Sequence, residues 1–161
     1  MIIATWQPRS TVIGTATAAS TVSVEALLGG RGVLHARPRT TLDWVSVIRK
    51  GISSAAADSL AKALHVTQSE LAAALGIPER RLARRKRQGM FNSEESAKLV
   101  RLARVIRRAE QVFEDHDAAL DWLKSGNAAL SGATPLSLLD TDMGAESVTD
   151  TLGRIEHGVF S

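Results

Sequence analysis

Helix starts and stops punctuate this chain so regularly that they leave little room for any other secondary structure. The most complete start is Thr67-Gln-Ser-Glu70, a capping box in which the threonine hydroxyl takes the Glu70 amide and the Glu70 carboxylate reaches back. Leu71, Ala74 and Leu75 follow at the spacing of a buried helical stripe, and Gly76 breaks the helix. Asn92 and Glu95 repeat the start ahead of a longer stripe: Leu99, Leu102, Ala103, Ile106, Ala109 and Phe113. Thr41 is placed to cap a helix carrying Trp44, Val45, Val47 and Ile48, ended near Gly51. Ser53 or Ser54 opens the next, with Ala57, Leu60, Ala61 and Leu64 inward. Thr141 caps a last helix with Ala145, Val148, Leu152 and Ile155 inward, His157 in its last turn and Gly158 just beyond. No segment alternates as a strand does, and no internal repeat is present. The predicted fold is all-α, a multi-helix chain.

The other segments are finer-grained. Residues 1–20 offer Ser, Thr, Ala and Gly without periodicity, and they lack the charged and apolar regions of a signal peptide. They read as an untargeted, loosely ordered segment. A short helix over Val22–Leu28 is stopped by Gly29 and Gly30, and Arg31–Thr40, with Pro38, reads as a linker. Ala118–Lys124 makes a helix containing Trp122, and Thr134-Pro135 starts a brief turn through Leu138 and Leu139. The expected organisation is a flexible segment over 1–40, a helical domain over 41–115 and a smaller helical domain over 116–161.

Composition narrows the core and the chemistry. Aromatics are 4% of the 161 residues and tyrosine is absent, so the core must be built mainly from Leu, Val, Ile and Ala. Zero cysteines exclude disulfides, cysteine-ligated zinc and thiol catalysis, and fit a cytoplasmic protein. No apolar run approaches the roughly 18–20 residues of a membrane span.

Charge is divided sharply near residue 109. From Glu79 to Ala109 there are eleven Lys/Arg against three Glu, a net of +8. From Glu110 to Ser161 there are two basic residues against ten acidic ones, a net of −8. A basic face attracts a polyanion and an acidic one repels it, so the two parts call for two different partners.

The basic part carries a helix-turn-helix plan: Thr67–Leu75, the turn Gly76-Ile77, then Pro78–Arg87, with Pro78 at a first-turn position. Small residues where the helices cross (Ala72, Ala73, Ala74) and an apolar residue after the glycine (Ile77) meet the packing requirement. The second helix presents Arg80, Arg81, Arg84, Arg85, Lys86 and Arg87, with Leu82 as its inward anchor. Six cations with no acid close in sequence beyond Glu79 suit a DNA major groove, some reaching guanine edges and the rest phosphates. Gln68 and Ser69, opening the first helix, stand where a phosphate is gripped. The outer face of the long helix adds Lys98, Arg101, Arg104, Arg107 and Arg108 as a second basic surface.

No active site is legible. His35, His65, His116 and His157 lie in four different segments, none spaced with another as metal ligands, and each reads as a surface or cap residue. There is no glycine-rich phosphate loop and no nucleophile beside a base. The expectation is a binding protein without cofactor or metal.

The acidic part carries a more specific pattern: Trp122-Leu123, then Asn127-Ala-Ala-Leu130, Gly132, Thr134-Pro-Leu136, Leu138-Leu-Asp-Thr141, Gly144, Val148 and Leu152-Gly-Arg-Ile-Glu-His-Gly158. It resembles the toxin-binding domain of the Xre/MbcA/ParS-type antitoxins, partners of RES-domain toxins. Leu75-Gly-Ile-Pro-Glu-Arg80, Leu82-Ala-Arg-Arg85, Ser93-Glu-Glu-Ser96 and Leu99-Val-Arg-Leu-Ala-Arg-Val105 also resemble the helix-turn-helix half of that family. The likeness covers roughly Leu42 to Ser161. Two positions depart from the pattern: Ser125, where Pro or Thr is expected, and Arg81, where many relatives carry Ser or Thr.

The resemblance implies an antitoxin that blocks the substrate pocket of an NAD-degrading RES toxin and represses its own operon. Carried onto this sequence, it makes the end of the chain the toxin contact: Arg154, Glu156, His157, Gly158, Val159, Phe160 and Ser161. Operator palindromes call for a homodimer. The competing readings are a stand-alone dimeric helix-turn-helix regulator and an enzyme with an unrecognised site. A neighbouring RES-toxin gene would favour the antitoxin, and turnover by the purified chain would favour the enzyme.

Overall fold

A computed structural model describes residues 22–158 of the chain; the expectations for residues 1–20 and for Val159, Phe160 and Ser161 lie outside them. Two short helices, α1 (Val24–Leu27) and α2 (Arg31–Leu34), lead into α3 (Thr41–Lys50), α4 (Ala55–Leu64), α5 (Gln68–Leu75) and α6 (Glu79–Gln88). The long α7 (Ser93–Phe113) follows, then α8 (His116–Lys124), two 3₁₀ turns at Ala128–Leu130 and Pro135–Leu138, and α9 (Asp142–Glu156). The architecture is all-α. Among the described residues the nearest thing to a sheet is a lone antiparallel bridge between Ser53 and Met90.

The capping signals act as written. Thr67 and Glu70 exchange hydrogen bonds (Glu70 N to Thr67 Oγ1 3.1 Å, Thr67 N to Glu70 Oε1 2.9 Å), and Asn92 and Glu95 do the same (2.8 and 3.0 Å). The backbone amides holding the Glu70 carboxylate keep its pKa below the ordinary value. Several local expectations shift. Thr40, not Thr41, caps α3, because its hydroxyl and the Asp43 carboxylate complete a box one residue earlier. Pro78 is the extended residue before α6 rather than part of its first turn. Asp115 accepts the Ala118 amide, so α8 starts two residues before Ala118. The expected linker 31–40 contains α2, whose Val33 and Leu34 pack against the core.

α7 is the hub. Leu99, Leu102, Ala103, Ile106 and Ala109 are buried as the stripe predicts, and so are Val100 and Val105 on a second face. One helix therefore serves two sides. α1, α3, α4 and α5 pack on α7 from one half of the chain, and α8 and α9 from the other. A continuous core runs from Val24 to Leu152. Ile155, expected inward, is only half-buried and lies outside that core, because α9 outruns its support after Leu152. Among the described residues no helix is long and apolar enough to cross a membrane.

Candidate functional site

The helix-turn-helix is α5, a three-residue turn and α6. Gly76 takes the left-handed conformation (φ 68°) that ends α5, and a Cβ there would stand 3.0 Å from the Asp140 carbonyl oxygen. The turn is therefore pressed against the chain's C-terminal half. Lys98 Nζ donates to the Gly76 carbonyl from α7 (3.2 Å), and Lys124 Nζ donates to the His65 carbonyl from α8 (3.1 Å). Leu71, Ala72, Ala74, Leu75, Ile77 and Leu82 are buried, which leaves α6 attached by one apolar residue and its ends.

The six cations of α6 separate into two sets. Arg80, Arg81, Arg84 and Arg87 are exposed, with 80, 84 and 87 one turn apart on a single side. Arg85 and Lys86 point back into the protein. Arg85 Nε donates to Glu95 Oε1 (2.8 Å), whose side chain is 3% exposed, and Lys86 Nζ meets Asp58 Oδ1 (2.8 Å). The expectation that no acid pairs these residues is corrected: the acids come from other helices. Ser69 is exposed and Gln68 half-buried in the first turn of α5, where the leading amides of a helix have no internal acceptor. Gln68 Oε1 itself is buried and has no hydrogen-bond partner.

The basic outer face expected on α7 is also divided. Arg101 donates to the Leu139 carbonyl (2.9 Å) and to the Asp142 carboxylate, and Arg108 grips Glu156 through both guanidinium nitrogens (3.2 and 2.5 Å). The Arg108 hydrogen bonds hold the Glu156 carboxyl below its usual range. Arg104 and Arg107 stay exposed. Two of the five cations, Arg101 and Arg108, thus bridge the basic and acidic parts of the chain.

The acidic half is organised by short-range capping. Asn127 Oδ1 accepts the Ala129 amide (2.8 Å), and the Gly132 amide returns to the Asn127 carbonyl (2.8 Å), closing the Asn127–Gly132 loop. Ser125 Oγ donates to the Asp121 carbonyl (2.6 Å), so the departure at 125 still finishes α8. Thr141 accepts the Gly144 amide (3.0 Å) to start α9. Gly144 has no substitute there: a Cβ would fall 1.8 Å from the Leu138 carbonyl oxygen. At the far end Arg154, His157 and Gly158 are exposed, while Glu156 is held by Arg108. Ser147, Asp150 and Arg154 line a small polar recess of about 340 Å³ beside the first 3₁₀ turn.

One histidine departs from its expected role. His116 is a half-buried bridge rather than a plain cap: Nδ1 lies 2.7 Å from Glu110 Oε1 and Nε2 3.1 Å from the Ala63 carbonyl. Glu110, 3% exposed, also accepts the Val22 amide (3.3 Å), so this pair pins α1 and α4 to the α7–α8 corner. The sequence held no signal for it, because the three partners lie up to 88 residues apart. Among the described residues no group of three or more His, Asp or Glu is placed to hold a metal.

An arginine-bearing second helix of a helix-turn-helix, built on one core with an acidic helical module whose last described residues are exposed, defines a DNA-binding protein with an appended protein-binding module. Residues 43–104 match the antitoxin Xre-like helix-turn-helix domain, and residues 108–158 match the antitoxin Xre/MbcA/ParS C-terminal toxin-binding domain. The antitoxin Xre of Yersinia enterocolitica is 39% identical over 119 residues, covering 73% of this chain and 80% of the relative. The antitoxin Xre of Photorhabdus laumondii is 32% identical over 118 residues, covering 72% and 80%. A Sphingobium protein named Prs ADP-ribosylating antitoxin is 28% identical over 130 residues, covering 74% and 82%. The chain belongs to the Xre antitoxin family of type II toxin–antitoxin systems.

Proposed function

We propose that the chain neutralises a RES-domain, NAD-degrading toxin by occluding its active site, and represses its own operon as a DNA-bound homodimer. It acts by stoichiometric binding, without turnover, in the cytoplasm. The observation that carries the toxin reading is the end of α9. Its last core residue is Leu152, yet the helix runs on to Glu156, with Arg154, His157 and Gly158 exposed. The Arg108–Glu156 pair ties the last turn of α9 to α7, and Arg154, His157, Gly158, Val159, Phe160 and Ser161 make the contact. A helix end fixed in this way loses less freedom on binding than a loose one. The acidity of the C-terminal part, from Glu110 onward, suits a pocket basic enough to hold a dinucleotide phosphate. The Sphingobium relative's name points to ADP-ribosylation, a reaction that draws on NAD, which supports a toxin of this chemistry.

On DNA, Arg80, Arg81, Arg84 and Arg87 enter the major groove, with Gln68 and Ser69 at a flanking phosphate, while Arg85 and Lys86 hold α6 in place. The test is growth rescue on co-expression with the RES toxin. The full chain rescues, and a chain ending at Glu156, which keeps the Arg108 pair, does not rescue although it folds. Full rescue by that truncation would show that the tail is not the plug.

A further inference from the structure

A groove of about 730 Å³ lies between α3, α7 and α9, and neither binding activity proposed above uses it. None of its lining residues belongs to α5 or α6, and none follows Thr149. Its floor is apolar, formed by Trp44, Val45 and Ile48 of α3 with Val100 and Val105 of α7. Arg39, Arg104 and Arg107 make one wall, all exposed, with no acid among the described residues at salt-bridge distance. The other wall is α9, where Glu146 is exposed and equally unpaired. The two most exposed large hydrophobic residues described stand in the first turns of the flanking helices: Leu42 on α3 (76%) and Met143 on α9 (79%). Neither lines the groove itself, but apolar side chains that exposed on the two helices beside an apolar floor are the mark of a protein contact.

We infer that this groove is where two copies of the chain pair about a two-fold axis. An isologous interface needs a patch complementary to itself, so that each copy offers what the other lacks. Here the basic wall of one copy, Arg104 and Arg107, meets the acidic wall of the other, Glu146, and the axis repeats the contact. Leu42 and Met143 are covered on both sides. The pairing leaves both α6 helices open to DNA and the last turn of both α9 helices open to toxin, as a repressor that also neutralises requires. The inference rests on the self-association in the proposed function and names the surface for it.

The experiment is sedimentation velocity on the full chain over a concentration series. Arg104→Glu/Arg107→Glu and Glu146→Arg each raise the dimer Kd by about tenfold or more, because like charges then face each other twice. Both variants keep the wild-type helical content by circular dichroism, since all three side chains are exposed, and their melting temperatures fall only by what the lost pairing contributed. Mixed in equal amounts, the two weakened variants form a dimer again, as every facing pair is then of opposite sign. A wild-type dimer indifferent to both reversals overturns the groove assignment and leaves self-association standing elsewhere. A wild-type chain that is monomeric up to about 100 μM, a concentration that reveals even weak pairing, overturns both. Loss of toxin binding with the dimer intact makes the groove a toxin surface and overturns the inference as well.

Discussion

Arg84 and Arg85 are neighbours with the same side chain, and replacing each by alanine separates the two jobs done by α6. Arg85 is 22% exposed and its Nε sits 2.8 Å from a Glu95 oxygen that is almost wholly out of water. In Arg85→Ala, Glu95 Oε1 keeps the Asn92 amide, while Oε2 has no partner at all. Breaking a buried pair by removing one member costs about 3–5 kcal/mol. The partial exposure of Arg85 puts this case near ~3 kcal/mol, a fall in Tm of roughly 6–12 °C for a chain of this size. Arg84 is exposed and unpaired, so Arg84→Ala changes stability by less than about 0.5 kcal/mol. Thermal melts followed by circular dichroism give the first comparison. Operator binding by fluorescence anisotropy across a KCl series gives the second: Arg84→Ala reduces the salt slope by about 0.9, the release of one phosphate contact. At temperatures where it is folded, Arg85→Ala keeps the wild-type slope. Were Arg85→Ala to melt normally and lose salt dependence as Arg84→Ala does, Arg85 would be a phosphate contact and the two-set reading of α6 would be wrong.

Gly144→Ala inverts the usual rule that alanine stabilises a helix. Its methyl would collide with the Leu138 carbonyl oxygen, so a loss of about 2–3 kcal/mol is expected in urea unfolding. Thr67→Ala removes the hydroxyl that caps α5 and costs about 1 kcal/mol in the same assay. Asp43, Glu70 and Glu156 have folded pKa values below their ordinary 3.8–4.5, chiefly because the amides of Arg39, Thr40 and Thr67 and the Arg108 guanidinium hold their charged forms. Their stabilisation is therefore complete above the unfolded pKa and is lost as pH falls through the lower folded values. Tm should be flat from neutrality to about pH 5 and drop below about 4, and Glu70→Gln should show a smaller acid-induced drop. An unchanged drop in Glu70→Gln would remove the capping box from that account.

The helices were legible because their causes are local. A cap and its amide are three residues apart, and a buried stripe repeats every three or four. Thr67–Glu70, Asn92–Glu95 and Thr141–Gly144 bond as their spacing predicts. Errors at this level are of one or two residues, as where Thr40 outcompetes Thr41 because Asp43 sits three residues after it. The toxin-binding module was legible by its pattern, since Gly144 and the Asn127–Gly132 loop admit few residue types. The stripe on α7 was read as one face, and burial on two faces follows only once helices from both halves of the chain are wrapped around it.

Charge was the opposite case. The sequence by itself determined that the molecule is all-α, that a helix-turn-helix carries a dense run of arginines, and that an acidic helical module follows. Each of those properties is set by residues within a few positions of one another. Only the tertiary structure decided which arginines are free. Arg85 is claimed by Glu95 ten residues on, Lys86 by Asp58 of α4, two helices earlier, and Arg101 and Arg108 by carboxylates 41 and 48 residues away. A charged side chain is long and reaches whatever packing brings near it, so its partner is a property of the fold and not of its neighbours in the chain. The division between basic and acidic halves is real in composition, and in space the two are bolted together across α7 and α9.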